Sequence, residues 1–275
     1  MSNTNQHGRG QAWLSALTEQ AKPLDGFSPS VRVADAQLAG RAVRYIAVVP
    51  DPSSRFHRAR QGEVGLIEGW ELARAVEQIV TRDHDLETKT PIVAVIDVPS
   101  QAYGRTEEAF GIHQALASAA AAYAKARLAG HPVIGLIVGT AMSGAFLAHG
   151  YQANRLTAIR DPGVMVHAMG KESAARITLR SVEALESLAS SIAPMAYDID
   201  SYASLGLLYA CLTVDSPDAP TPADVCQVRH SLHAALEDIS RDPRRDLGSR
   251  LGAVNRKASA TVREVLAKQW NASSP

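Results

Sequence analysis

Residues 130–150, GHPVIGLIVGTAMSGAFLAHG, carry five glycines and no Asp, Glu, Lys or Arg. A strand-like apolar run to Val138 passes straight into Gly139, Thr140, Ser143, Gly144 and Ala145, so the segment reads as a strand entering a helix. Missing or minimal side chains let a ligand oxygen approach the main-chain N–H groups, and a helix N-terminus favours developing negative charge there. The chemistry implied is amide-donor stabilisation of a carbonyl or carboxylate oxygen, which needs no metal. Glycines also serve turns and helix packing, so this run is weighed together with a second one.

That second run is IDVPSQAYGRTEEAFGIHQ, residues 96–114, which leaves a strand and hands the chain to an alanine-rich helix. Ser100, Gln101, Ala102 and Tyr103 can expose amides above that helix. Thr106 is placed as its N-cap and Glu107 and Glu108 as first-turn acids, which is a capping and dipole role. A catalytic carboxylate would have to face the first run across a pocket. The preferred oxyanion donors are the backbones of Gln101, Ala102, Gly144 and Ala145, with Ser143 turned toward the same space. His113, His149 and His167 can titrate near neutral pH. His149 after AFLA and His167 inside VMV…AM nevertheless read first as satisfied core histidines. Arg160, Lys171 and Arg176 are candidate contacts for an anion or an acidic partner. No HExxH or other metal-ligand spacing occurs among the nine histidines, so no metal site is expected.

The elements that must position these residues alternate. VRVADAQLAGRAVRYIAVVPD, residues 31–51, predicts two strands joined around Ala39 and Gly40. Residues 65–83 predict a helix with Trp70, Ala73, Val76 and Val80 on its covered side. PIVAVIDV at 91–98 and PVIGLIV at 132–138 are buried strands separated by a helix over 106–129. RLTAIRD and PGVMVHAMG follow, then helices over 171–193, 222–239 and 246–270, with DSPDAPTP at 215–222 as a surface loop. This pattern predicts an α/β core with helical outer layers. The organisation expected is a flexible N-terminal arm over residues 1–29, then one domain over 30–275 with a helical extension from about 220.

With 28 basic and 28 acidic side chains, the chain has no global field to attract nucleic acid or an anionic membrane. The basic run SRDPRRDLGSR, with Arg241, Arg244, Arg245 and Arg250, is diluted by Asp238, Asp242 and Asp246. The charge-free stretch from Leu128 to Asn154 is long enough to cross a bilayer, but His131, Pro132, His149, Gln152 and repeated Gly argue against a span. The N-terminus lacks a secretory pattern, so a cytoplasmic protein is expected. Cys211 and Cys226 are too few for a disulfide framework and are expected as reduced, near-core thiols.

The two runs also carry a resemblance. Pro99, Gly104, Glu108 and Gly111-Ile112 keep the frame of a carboxyltransferase C-domain loop, with Ser100-Gln101 where that family has Gly-Phe. Gly139 and Ser143-Gly144-Ala145 match its strand–helix turn, with Ser143 at a position commonly Gly, and VMVHAMGKESAARIT at 164–178 adds a further block. On these residues the chain resembles the gamma-subunit family of biotin-independent malonate decarboxylases, relatives of the acyl-CoA carboxyltransferases. The resemblance covers most of residues 30–210. It implies a crotonase-like ββα-spiral core and a homologous beta subunit as partner. The implied reaction takes malonyl-acyl carrier protein to acetyl-acyl carrier protein and CO2. The malonyl thioester would ride on the carrier's phosphopantetheine-type prosthetic group, with further complex subunits, no biotin and no cofactor bound directly. A biotin-dependent carboxyltransferase subunit, a free-standing crotonase-like hydratase or isomerase, and a noncatalytic stabilising subunit remain as alternatives.

Overall fold

The computed structural model describes residues 8–272. It starts with a helix, α1 (Arg9–Leu17), where an irregular arm was expected. Trp13, Leu14 and Leu17 of α1 are buried in the main core, and the Trp13 indole N–H donates to the Pro217 carbonyl at 2.8 Å. Nine residues cannot hold a helix alone in water, so this one depends on tertiary burial that local periodicity does not reveal. Residues 1–7 of the expected arm lie outside the described residues.

β1 (Val31–Leu38) and β2 (Arg41–Val48) form an antiparallel hairpin. Its turn is Ala39-Gly40, both at positive φ (50° and 77°), the pair of left-handed residues a two-residue hairpin requires. The chain continues through α2 (Leu66–Arg82), β3 (Ile92–Val98), α3 (Arg105–Ala109), α4 (Ile112–Leu128), β4 (Val133–Met142) and α5 (Ser143–Ala148). After these come β5 (Arg155–Ile159), β6 (Val166–His167), α6 (Lys171–Ile177), α7 (Val182–Ala189) and α8 (Ile199–Ser204). β7 (Ala210–Leu212), α9 (Pro222–Arg241) and α10 (Lys257–Ala272) complete the chain.

The sheet runs β1-β2-β3-β4-β5-β7, parallel from β2 onward, with β6 added in parallel to the end of β4. β3 and β4 are almost wholly buried, which is why they read as unbroken apolar runs: helices cover a parallel sheet on both faces. This is the mixed α/β architecture, with strand and helix alternating around a central sheet, that the crotonase-like ββα expectation requires.

Four elements differ from expectation. Trp70 is half exposed, whereas Ala73 and Val76 are buried as expected and Leu72 and Ile79 join them in the core. Gly69 lets α2 press on α4, since a Cβ there would sit 2.7 Å from the Ala115 carbonyl carbon. The helix expected over 106–129 breaks at Gly111 (φ 82°), and Gly104 rather than Thr106 precedes its first turn. The helix expected over 171–193 divides into α6 and α7 around Leu179 (φ 53°). The last helix starts at Lys257, after two short 3-10 turns.

The charge-free stretch divides among the end of α4, β4, α5 and the turn after it, and among the described residues no helix is long and apolar enough to cross a membrane. The basic run after α9 works inward. Arg250 is buried and donates to the carbonyls of Tyr151 (2.7 Å) and Ala153, while Arg155 pairs with Asp238 (2.5 Å) and Asp242 (3.1 Å). These contacts fasten the C-terminal extension to the strand end at β5. Cys211 is half-buried, but Cys226 is exposed on α9 rather than near the core.

Candidate functional site

The two sequence runs meet at the C-terminal ends of β3 and β4. The Gly144 N–H, in the first turn of α5, donates to the Gln101 side-chain Oε1 at 2.8 Å across 43 residues of chain. Each partner is placed by a different local device. β4 passes into α5 with no intervening residue, and Ser143 makes the turn at φ 58°. An L-residue in the left-handed region costs about 1–2 kcal/mol, a strain that Gly would not carry. Gln101 sits on a six-residue loop, 99–104, held by a parallel bridge to Val64: Val64 N–H donates to the Ser100 carbonyl (3.0 Å) and Ala102 N–H to the Val64 carbonyl (2.8 Å).

These bonds revise the donor set. Ala102 is buried with its N–H used by Val64, so it is not an oxyanion donor. The Gly144 N–H is used by Gln101. The N–H groups of Ala145 and Gln101 have no partner among the described residues. Gly144 cannot carry a Cβ without crowding, since that atom would sit 3.3 Å from Gln101 Oε1 and 3.7 Å from a Leu116 methyl. Ser100 hydrogen-bonds its own loop through the Gln101 carbonyl (3.0 Å), and Tyr103 lies exposed beside it.

Gly139 and Thr140 belong to the support rather than the surface of the site. A Cβ on Gly139 would collide with the Asp97 carboxylate, its carboxyl carbon 2.5 Å away. Asp97, at the end of β3, accepts from the Thr140 N–H (3.1 Å), the Thr140 hydroxyl (3.3 Å) and the Gly10 N–H (3.1 Å) near the start of α1. It thereby ties β3, β4 and α1 together directly beneath both junctions. Sequence reasoning missed Asp97, although a lone carboxylate in the otherwise apolar run PIVAVIDV was a visible signal.

Beside α5 lies a largely apolar cavity of about 300 Å³, with Ser143, Gly144 and His167 as its polar end and Phe146, Tyr151 and Tyr202 among its walls. His167 stacks on Tyr197 (3.9 Å between ring centres). Its Nδ1 lies 3.0 Å from the Met169 carbonyl and 3.3 Å from the Met169 N–H. The Met169 backbone therefore engages Nδ1 in either tautomer, as acceptor from it or as donor to it. Burial pushes the His167 imidazole below its usual value, partly offset by the bond to the Met169 carbonyl. His149 is not a site residue. It is fully buried, with Nε2 at 3.0 Å from the Val95 carbonyl and Nδ1 at 3.1 Å from the Tyr123 hydroxyl, and burial drives its pKa down to about 4 against the pull of the Val95 bond. As the residue after α5, it pins that helix to β3 and α4.

The cations expected at the site are engaged elsewhere or stand apart. Arg160 pairs with Asp200 (2.8 Å), and Lys171 pairs with Glu186 (2.6 Å) while lying 5.5 Å from the Tyr197 ring centre. Arg176 is exposed on α6. His113 is exposed on α4. Glu107 is buried in α3 and Glu108 exposed, both in its first turn as expected. No group of three or more His, Cys, Asp or Glu suited to a metal occurs among the described residues.

The model of the malonate decarboxylase gamma-subunit family matches residues 59–270. The chain belongs to that family. It is 64% identical to a chain of the malonate decarboxylase hetero-tetramer of Pseudomonas in complex with coenzyme A, covering 95% of this chain and 99% of that one with a TM-score of 0.92. It is 60% identical to a chain of the Pseudomonas malonate decarboxylase MdcD–MdcE hetero-dimer, covering 96% and 99%, with a TM-score of 0.88. It is also 35% identical over 157 residues to a malonyl-S-ACP:biotin-protein carboxyltransferase of Malonomonas rubra. That stretch is 56% of this chain, which spans about half (54%) of the length of that curated relative. The match to the Pseudomonas chain covers 95% of this chain, more than the 30–210 over which the sequence resemblance was drawn.

Proposed function

We propose that the chain is the gamma subunit of a malonate decarboxylase and supplies the carboxylate-facing half of a site completed by a homologous beta subunit. The observation that carries this reading is the Gln101–Gly144 hydrogen bond, which joins the two small-residue junctions beside an apolar cavity whose polar end is Ser143, Gly144 and His167. Decarboxylation breaks the bond between the malonyl α-carbon and its carboxylate. The electron pair moves into the thioester carbonyl as an enolate, CO2 leaves, and a proton then adds to the α-carbon. The thioester oxyanion needs amide donors, and the departing carboxylate needs a dry, weakly binding surround. This chain offers the second in its apolar cavity, with Ser143 and Gly144 at the polar end and Gln101 hydrogen-bonded to Gly144. The beta subunit would hold the thioester, carried on the phosphopantetheine-type arm of an acyl carrier protein. Further subunits would belong to the complex, and neither biotin nor a metal takes part.

The test is reconstitution. The purified chain alone should release little CO2 from malonyl-carrier protein, and adding the beta subunit, with biotin absent, should restore turnover. Full activity from a preparation free of the beta subunit would overturn the two-subunit reading. The likeness to the Malonomonas rubra carboxyltransferase favours a second reading, transfer of the carboxyl group to a biotin protein. Turnover that requires a biotinylated acceptor would establish it.

A further inference from the structure

Among the groups at the site, Gln101 stands out because it is at once held and free. A backbone N–H can only donate, so the amide atom facing Gly144 at 2.8 Å must be Oε1, and the Nε2 group must take the other branch of the planar amide. Nε2 has no hydrogen-bond partner among the described residues and is not among the buried unpartnered atoms, so its two donors are open to a ligand. Donation into Oε1 also polarises the amide and strengthens Nε2 as a donor.

The surroundings define what such a donor would meet. Of the cations expected to receive a carboxylate, Arg160 and Lys171 are paired with Asp200 and Glu186, and Arg176 is exposed on α6. That leaves a neutral amide, which suits a carboxylate that must depart. A guanidinium would stabilise the bound anion more than the CO2 it becomes and would raise the barrier, whereas an amide selects the anion while holding it less firmly. Gln101 occupies a loop position at which the carboxyltransferase pattern has an apolar aromatic residue.

We propose that Gln101 is the specificity-determining residue of the site: its Nε2 donates to the malonyl carboxylate while its Oε1 stays on the Gly144 N–H. The inference rests on the decarboxylase reading and adds to it the group that recognises the substrate's free carboxylate. Gln101 then acts on substrate binding rather than on bond cleavage.

Three forms of the reconstituted complex test this: wild type, Gln101→Leu and Gln101→Glu. Glu keeps an acceptor for the Gly144 N–H but turns a negative charge toward the substrate, so it separates recognition from bracing. KM for malonyl-carrier protein should rise roughly 10- to 100-fold in Gln101→Leu and further in Gln101→Glu, with kcat within about threefold of wild type. An unchanged KM in Gln101→Glu would overturn the proposal, and so would a loss confined to kcat. Calorimetric binding of free malonate to the same complexes gives a readout independent of turnover. If the wild-type complex binds malonate, both variants lose that binding and none of the three releases CO2, the decarboxylase reading fails while the Gln101 assignment stands. Equal malonate affinity in all three complexes would sink the assignment whatever the turnover.

Discussion

The junction of β3 with α3 and that of β4 with α5 both bring main-chain N–H groups to one end of the parallel sheet, yet they are built in opposite ways. At β4–α5 the strand becomes the helix without a linking residue, the turn rests on a left-handed Ser143, and Gly144 and Ala145 after it are small. At β3–α3 six residues intervene, fastened at one point by Val64, and a long polar side chain projects from them. The first is a fixed surface on which a single methyl group is felt. The second carries a side chain that can be exchanged without rebuilding the backbone, which makes it the natural place for specificity to vary.

Breaking the common support should have the largest effect. Gly139→Ala forces the Asp97 carboxylate away from the Thr140 and Gly10 N–H groups, and the expected loss is about 3–5 kcal/mol of stability, read by urea unfolding. A variant as stable as wild type would show that Asp97 does not tie the two junctions. Acid should act on the rigid junction through His149. Its folded pKa of about 4 lies below the unfolded value of 6.5, so above about pH 6.5 it has no effect on the pH slope. As pH falls through that window the unfolded chain takes up a proton that the folded chain refuses, and stability drops by roughly 2 kcal/mol near pH 5. Burial shifts His131 in the same direction, so the difference between wild type and His149→Asn isolates the His149 part, and equal slopes would refute it.

Gly144→Val tests the fixed surface itself. Its side chain would press on Gln101 and Leu116, and CO2 release should fall at least about 100-fold with assembly intact. Loss of assembly together with turnover would show that Gly144 serves packing. Ser143→Gly sharpens the contrast from the other side. It removes the left-handed strain and the hydroxyl together, and stability should change by less than about 1 kcal/mol with turnover within about threefold. A tenfold drop would bring the Ser143 hydroxyl into the chemistry.

Much of the scaffold was legible. The unbroken apolar runs at 91–98 and 132–138 read as buried parallel strands because both faces of that sheet are covered, and Ala39-Gly40 read as a hairpin turn. The small-residue run pointed at the correct strand–helix junction. Where the reading missed, the cause was a partner distant in sequence. Trp70 fits the helical period of α2 but faces outward, because the core is met by Leu72, Val76 and Ile79. The short α1 forms because Trp13 finds the core and the Pro217 carbonyl. Thr140 and Gly139 lie in a sensitive stretch, but their sensitivity comes from Asp97, 42 or more residues earlier.

The order of residues alone determined which segments became strand and helix, where backbone could be approached closely, and that no large net charge would bias the partner. Those properties depend on neighbours a few residues apart. Which donors remained free was decided only by the tertiary structure. Ala102 was spent on Val64, Gly144 on Gln101, Arg160 on Asp200 and Lys171 on Glu186. A hydrogen-bonding group can satisfy only the partner the fold brings within about 3 Å, and sequence does not measure that distance.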